Sequence, residues 1–211
     1  MNNALEKIIV ALDISEREEL DKCLNNLKGT VCYVKVGMQL FYAFGPSIVK
    51  ELKDQGLKIF LDLKVHDIPN TAKGALTSLS SLDVDMINVH ATGGSKMMIA
   101  AKEAFQHIPR DKRPIMISVT QLTSTSQDVF NNELMINGKI CDNVLHLAKL
   151  TKKSGLDGVV ASAQETKEIS KHLGKDFCIV TPGVRFNTEN KHDQIRVQLQ
   201  QKLLQMEQHT W

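Results

Sequence analysis

The sequence predicts an α/β fold and, within that class, a (β/α)8 TIM barrel. Two observations carry the prediction. Short runs rich in Val and Ile alternate with longer amphipathic stretches along nearly the whole chain, and polar residues stand at the ends of most of those runs. In order, the runs are IIVALD at 8–13, VCYVKVG at 31–37, LKIFLDLK at 57–64, VDMINVH at 84–90, PIMISVT at 114–120, LDGVVAS at 156–162 and FCIVTPG at 177–183. Near-continuous apolar segments of this size suit parallel strands covered on both faces. Between them, SIVKELKDQG at 47–56 and GSKMMIAAKEAF at 94–105 carry a helical period. Residues 142–154 do the same, with Gly155 placed just past the end as a helix stop. Strand–helix alternation of this kind produces a parallel sheet.

An open doubly wound sheet and a closed barrel both fit the alternation. A barrel collects chemistry at the C-terminal ends of many strands at once, whereas an open sheet concentrates it at one crevice, usually behind a glycine-rich turn. Here Asp13, Lys35, Asp62 with Lys64, His90, Thr120 with Thr123, and Thr181 mark strand ends, and neither G-x-G-x-x-G nor G-x-x-x-x-G-K-[ST] occurs. The barrel is favoured, with seven strand candidates where eight are needed. No repeat or linker marks a second domain, so residues 1–197 are read as one barrel domain and 198–211 as an aberrant tail.

Composition narrows the functional class. A chain of 211 residues with 42% hydrophobic content has ample material for a core. A net charge of +2 argues against a nucleic-acid binder. Four scattered cysteines, Cys23, Cys32, Cys141 and Cys178, include no C-x-x-C pair, which argues against a zinc ribbon or disulfide scaffold. They are expected to be buried and inert. No apolar run could span a bilayer, and the first eleven residues lack a signal-peptide layout, so a cytoplasmic protein without membrane partners is expected.

The most informative segment is IFLDLKVHDIPNT at 59–71. On a strand, Asp62 and Lys64 lie two apart and project from one face. Asp67 follows where the strand turns, because Pro69 keeps Ile68 out of the helical region. The D-x-K-x-x-D array thus sets two carboxylates around one lysine, which would hold it protonated and ready to donate. The plainer reading is a surface ion-pair cluster of little energetic weight. Asp13 and Lys35, ending the first two strands, would face the same mouth and favour a site.

These residues resemble the orotidine 5'-phosphate decarboxylase family. The matching pieces are ALD at 11–13, VKVGMQLFYAFGP at 34–46, FLDLKVHDIPNT at 60–71, NVHATGG at 88–94, VTQLTS at 119–124, TPGVR at 181–185 and DQIRV at 193–197. The resemblance implies a (β/α)8 barrel, a homodimer and no metal or organic cofactor. It implies conversion of orotidine 5'-phosphate to uridine 5'-phosphate, the last step of pyrimidine nucleotide synthesis. Lys64 would protonate C6 as carbon dioxide leaves, and Asp62 would sit beside the substrate carboxylate. Asp67 would reach into the partner subunit's site, with Ile68, Pro69 and Thr71 around it among the substrate-binding residues. Asp13 and Lys35 would hold the ribose hydroxyls, Thr123 the pyrimidine edge, and Arg185 and Gln194 the phosphate.

Other residues carry weaker signals. His66 is expected to point away from Lys64 and to be structural. His90 suits a hydrogen-bonded core histidine as well as a site residue. Gly93-Gly94 could face an anion but more simply open the next helix, and Met97-Met98 reads as core packing.

After Val197 the pattern gives way to QLQQKLLQMEQHTW, without the T-P-x-x-A and V-G-R segments the family would supply. Shifted by one base, codons for this tail can read TPAKAIANGA, with the glycine forced by Met206-Glu207. A frameshift replacing the true C-terminus is therefore expected, to be tested by sequencing the coding DNA across codon 197. The phosphate grip would go with it, leaving a poorly folded or inactive nucleotide-binding remnant as the alternative. A further rival is a magnesium-dependent sugar-phosphate decarboxylase or synthase of the same superfamily. Those enzymes resemble this chain in D-x-K-x-x-D but carry an acid where Lys35 stands, and a lysine there repels a cation.

Overall fold

A computed structural model describes residues 7–30 and 33–183 of the chain. Seven strands, β1 (Ile9–Ala11), β2 (Tyr33–Gly37), β3 (Lys58–Val65), β4 (Met86–His90), β5 (Ile115–Val119), β6 (Gly158–Val160) and β7 (Cys178–Val180), pair in sequential order. Every pairing is parallel. Helices α1 (Arg17–Leu27), α2 (Met38–Phe44), α3 (Ser47–Asp54), α4 (Pro69–Leu79), α5 (Gly94–Glu103), α6 (Ile140–Lys153) and α7 (Thr166–Leu173) fill the connections. This is a (β/α)8 barrel with seven of its strands among the described residues; the 198–211 tail lies outside them.

Strand alternation divides the core into two layers. One set of side chains, Tyr33, Phe60, Met86 and Ile117, forms a cluster inside the curled sheet. The alternate set, including Val34, Val36, Ile59, Leu61, Ile87 and Val89, packs with Leu20, Leu52, Leu76 and the buried Met97 and Met98 of the helices. Filling both faces is what makes the strand sequences near-continuously apolar. Each such Leu, Ile or Val contributes roughly 1.5–3 kcal/mol on burial.

The N-terminal end of the sheet is tied by aspartates. Asp85 Oδ2 accepts the Ile59 N–H at 2.8 Å and pairs with Lys53 Nζ at 3.1 Å. Asp157 Oδ2 accepts the Met116 N–H at 2.8 Å. Each carboxylate satisfies a strand-end donor on a neighbouring strand, so this face is committed to stability and the opposite mouth is left for chemistry.

Three details depart from the sequence reading. Most strands are shorter than their apolar runs, and at β1, β5, β6 and β7 residues at the end of the run pass into the loops of the mouth. A separate helix, α2, precedes α3 and closes on Gly45 at φ 70, a conformation that suits glycine. Cys141 is exposed rather than buried because it sits on the solvent-facing first turn of α6. Cys178 fits the inert expectation: burial, then the nearby Asp157, pushes its thiol up to about 11.

Candidate active site

Four charged side chains meet at the C-terminal mouth of β1, β2 and β3. Lys64 Nζ lies 2.8 Å from Asp62 Oδ1, and Lys35 Nζ lies 3.4 Å from Asp62 Oδ2. The Lys35 ammonium also donates to Asp13 Oδ1 at 3.0 Å. The result is an alternating chain, Asp13–Lys35–Asp62–Lys64, whose formal charges cancel. Its inner end is shielded, the Asp62 side chain being 10% exposed, while Asp13 at 57% faces solvent. Burial alone would raise the Asp62 pKa; Lys64, Lys35 and Asn88 together outweigh it and hold the carboxyl below its ordinary value. Asp62 is therefore a firm carboxylate.

Gly37 is part of this geometry. A Cβ at that position would lie 3.0 Å from Lys35 Nζ and 3.2 Å from Asp13 Oδ1. A methyl group there would press on the ion pair and make its side-chain ends give by a few tenths of an ångström.

Asp62 and Lys64 do come together, though not on a regular pleat. The β3–β4 register runs Leu61↔Ile87 and then Val65↔Val89, so β3 carries two extra residues across the stretch that holds Asp62, Leu63 and Lys64. Within it Lys64 has φ 51, a left-handed backbone that costs a non-glycine residue about 1–3 kcal/mol. Asn88, fully buried on β4, receives the Lys64 N–H on Oδ1 at 2.8 Å and donates from Nδ2 to Asp62 Oδ1 at 2.6 Å. The sequence reading missed Asn88 and Gly37. The first sits inside NVHATGG and the second inside VKVGMQ, both within quoted motifs, but neither residue type announces a charge partner.

Asp67 does not join Lys64 within the chain. Pro69 opens α4, and Asp67 just before it is exposed, with Oδ1 accepting the Ile68 N–H at 2.7 Å. Among the described residues, Lys64 pairs with Asp62 and not with Asp67, so of the two carboxylates expected around the lysine a single chain brings up only Asp62. Ile68 is 68% exposed, and Pro69 and Thr71 lie on the exposed start of α4. Asp67, Thr71, Lys64, His66 and Tyr42 line one shallow depression. Thr123 is half-buried in the loop after β5. Arg185 and Gln194 lie outside the described residues.

His66 is a second correction. It lies just past the end of β3, lines the same depression as Lys64, and stacks its ring on His90 with centroids 5.4 Å apart. His90 Nδ1 is 2.6 Å from the Thr92 hydroxyl. Burial, then His66 and Lys64, lowers the His90 pKa to about 4, so the ring is neutral near pH 7. Gly94 opens α5, which is the simpler of the two roles considered for Gly93-Gly94. Among the described residues no three His, Cys, Asp or Glu side chains converge to hold a metal ion, and no helix is long and apolar enough to cross a membrane.

Comparison with known proteins agrees with this arrangement. The sequence profile described as "Orotidine 5'-phosphate decarboxylase / HUMPS family" matches residues 6–208, so the match takes in part of the tail beyond Val197. Orotidine 5'-phosphate decarboxylases of Bacillus mycoides (strain KBAB4) and Bacillus cytotoxicus are each 50% identical over 194 residues, 91% of this chain and 82% of theirs. The crystal structure of the Lactobacillus acidophilus orotidine 5'-phosphate decarboxylase superposes with a TM-score of 0.78 at 45% identity, over 84% of this chain and 81% of that one. An uncharacterised conserved protein from Geobacillus kaustophilus gives the same TM-score at 47% identity, over 83% of this chain and 82% of that one. A charged array at a parallel-barrel mouth, carried on a chain half-identical to such relatives along most of its length, leads to one assignment: the chain belongs to the orotidine 5'-phosphate decarboxylase / HUMPS family.

Proposed function

We propose that the protein is a cytoplasmic carboxy-lyase that converts orotidine 5'-phosphate to uridine 5'-phosphate and carbon dioxide. The observation that carries this is the Lys64 ammonium set 2.8 Å from a buried, ionised Asp62 at the barrel mouth. In the reaction the C6–carboxylate bond breaks, its electron pair stays on C6, and carbon dioxide departs. Lys64 gives its proton to C6, which yields uridine 5'-phosphate and a neutral amine that solvent reprotonates. A positive charge fixed where the carbanion develops stabilises the transition state more than the ground state. Asp62 lies beside the departing carboxylate, where like charge is relieved as carbon dioxide leaves, a contribution secondary to that of Lys64. Asp13 and Lys35 hold the ribose hydroxyls, Thr123 the pyrimidine edge, and Arg185 and Gln194 the phosphate.

The magnesium-dependent reading is less favoured. Lys35 lies between Asp13 and Asp62, and its ammonium occupies the carboxylate oxygens a divalent cation would need.

The active unit is a homodimer in which Asp67 completes the partner's site. Supporting this, Asp67 makes no ion pair with its own Lys64 among the described residues, and it lines an open depression with Lys64 and the 71%-exposed Tyr42 beside an exposed Ile68. Lys64→Ala should reduce decarboxylation about 10²–10⁴-fold, the usual weight of a positioned proton donor. Mixing inactive Lys64→Ala and Asp67→Ala chains tests the shared site. Random reassortment into dimers restores about a quarter of the sites if Asp67 acts across the interface. Full activity of Lys64→Ala would refute the mechanism, and no recovery on mixing would refute the shared site.

A further inference from the structure

The unusual feature of the mouth is how its lysine is held. Lys64 lies in an irregular stretch of β3 with φ 51, a conformation its own side chain disfavours. Contacts beyond its own backbone must over-determine it. Two contacts are available: the ion pair to Asp62 holds the far end of the side chain, and Asn88 holds the backbone. The Asn88 amide can be oriented only one way, because the Lys64 N–H needs an acceptor and the Asp62 carboxylate needs a donor. A fully buried amide thus clasps both members of the Asp62–Lys64 pair from the next strand. It does so where the β3–β4 ladder has slipped by two residues and backbone pairing cannot do the work.

We infer that Asn88 is a positioning residue for proton transfer: its carboxamide locks the left-handed backbone of Lys64 and the rotamer of Asp62 into one reactive arrangement. It touches neither substrate nor reacting atoms and acts through the two residues that do. The inference rests on the decarboxylase reading of Lys64, so its test includes a measurement that needs no turnover. Misplacing a reacting group by about an ångström costs roughly 100-fold in rate.

The test uses two variants of the full chain. Asn88→Leu keeps the branched outline of the side chain, in a somewhat larger form, and loses both hydrogen bonds. Asn88→Asp keeps the acceptor for the Lys64 N–H, loses the donor to Asp62 and adds a like charge. In N88L, kcat should fall about 100-fold with KM within about threefold of the parent, and a crystal structure should show Lys64 leaving the left-handed region. In N88D the left-handed backbone should persist while kcat is low near neutral pH. Activity should then recover as pH falls and the introduced carboxyl takes up the proton with which it can donate to Asp62. A purely structural role would lower Tm without that pH-dependent rescue. The inference is overturned if N88L keeps kcat within about threefold, if its loss lies in KM alone, or if Lys64 keeps φ and its Asp62 contact unchanged. Should N88L not fold, the backbone and pH profile of N88D decide. An inactive parent chain would defeat the decarboxylase reading, while the Lys64 backbone in the variants would still decide the positioning role.

Discussion

His90 should make the protein acid-sensitive in a measurable and removable way. Its ring is half-buried, stacked 5.4 Å from His66 and close enough to feel the Lys64 charge, and burial, then these neighbours, lowers its pKa from 6.5 to about 4. The unfolded chain therefore takes up a proton near pH 6.5 that the folded protein refuses until about pH 4. Because the folded pKa is depressed, the associated stability is full above pH 6.5 and is lost as pH falls towards 4. Between about pH 7.5 and about pH 5 the full shift would amount to roughly 2 kcal/mol. The ring is only partly buried, and discounting for solvent screening leaves about 1 kcal/mol, or some 2–4 °C in Tm for a domain of this size. His90→Asn removes the titrating ring while offering Thr92 an amide partner. The variant has a cavity and will be less stable at every pH, so the quantity to compare is the change between the two pH values, by urea unfolding or calorimetry. The parent should lose about 1 kcal/mol more than the variant on acidification. Equal losses in the two proteins would show that His90 titrates normally and that burial and its cationic neighbours do not govern it.

Two glycines give further tests. Gly37→Ala presses a methyl group against the Asp13–Lys35 ion pair, whose side-chain ends can yield a few tenths of an ångström. A rise in KM of about tenfold or less with nearly unchanged Tm is expected, since the pair is assigned to substrate hydroxyls, and a large fall in Tm with normal KM would contradict it. Gly158→Ala is of another kind, because the new Cβ would lie 2.2 Å from the Cys178 carbonyl oxygen, where backbone must move and β6 must part from β7. A loss of at least about 3 kcal/mol and a Tm lower by about ten degrees are expected, and a Tm within two degrees of the parent would refute the close approach.

The alternation of apolar strand and amphipathic helix was legible in the sequence because a strand covered on both faces must be apolar throughout. Six of the seven runs contain their strands and β3 extends one residue past its run to Val65, while the helices at 47–54, 94–103 and 140–153 overlap the expected segments. The strand-end residues Asp13, Lys35, Asp62 and Lys64 were legible too, because charges at the ends of buried strands have few other reasons to be there. Helix α2 was not, since its glycine boundaries resemble a loop and its seven residues are too few to show a period. Nor could sequence say that Asp62 and Lys64 meet through an irregular stretch of β3, because strand periodicity alone gives the same parity. The clasp by Asn88 is a contact across 24 and 26 residues of chain, set by the β3–β4 register. The exposure of Asp67 goes with Pro69 beginning α4 two residues on, and the stacking of His66 on His90 follows from β3 lying beside β4. Residue types and their spacing along the chain thus determined the barrel and the chemistry at its mouth. Distances between charges, the backbone of Lys64 and the depressed pKa of His90 depend on which strands are neighbours and how deeply each side chain is buried, and only the folded structure decides those.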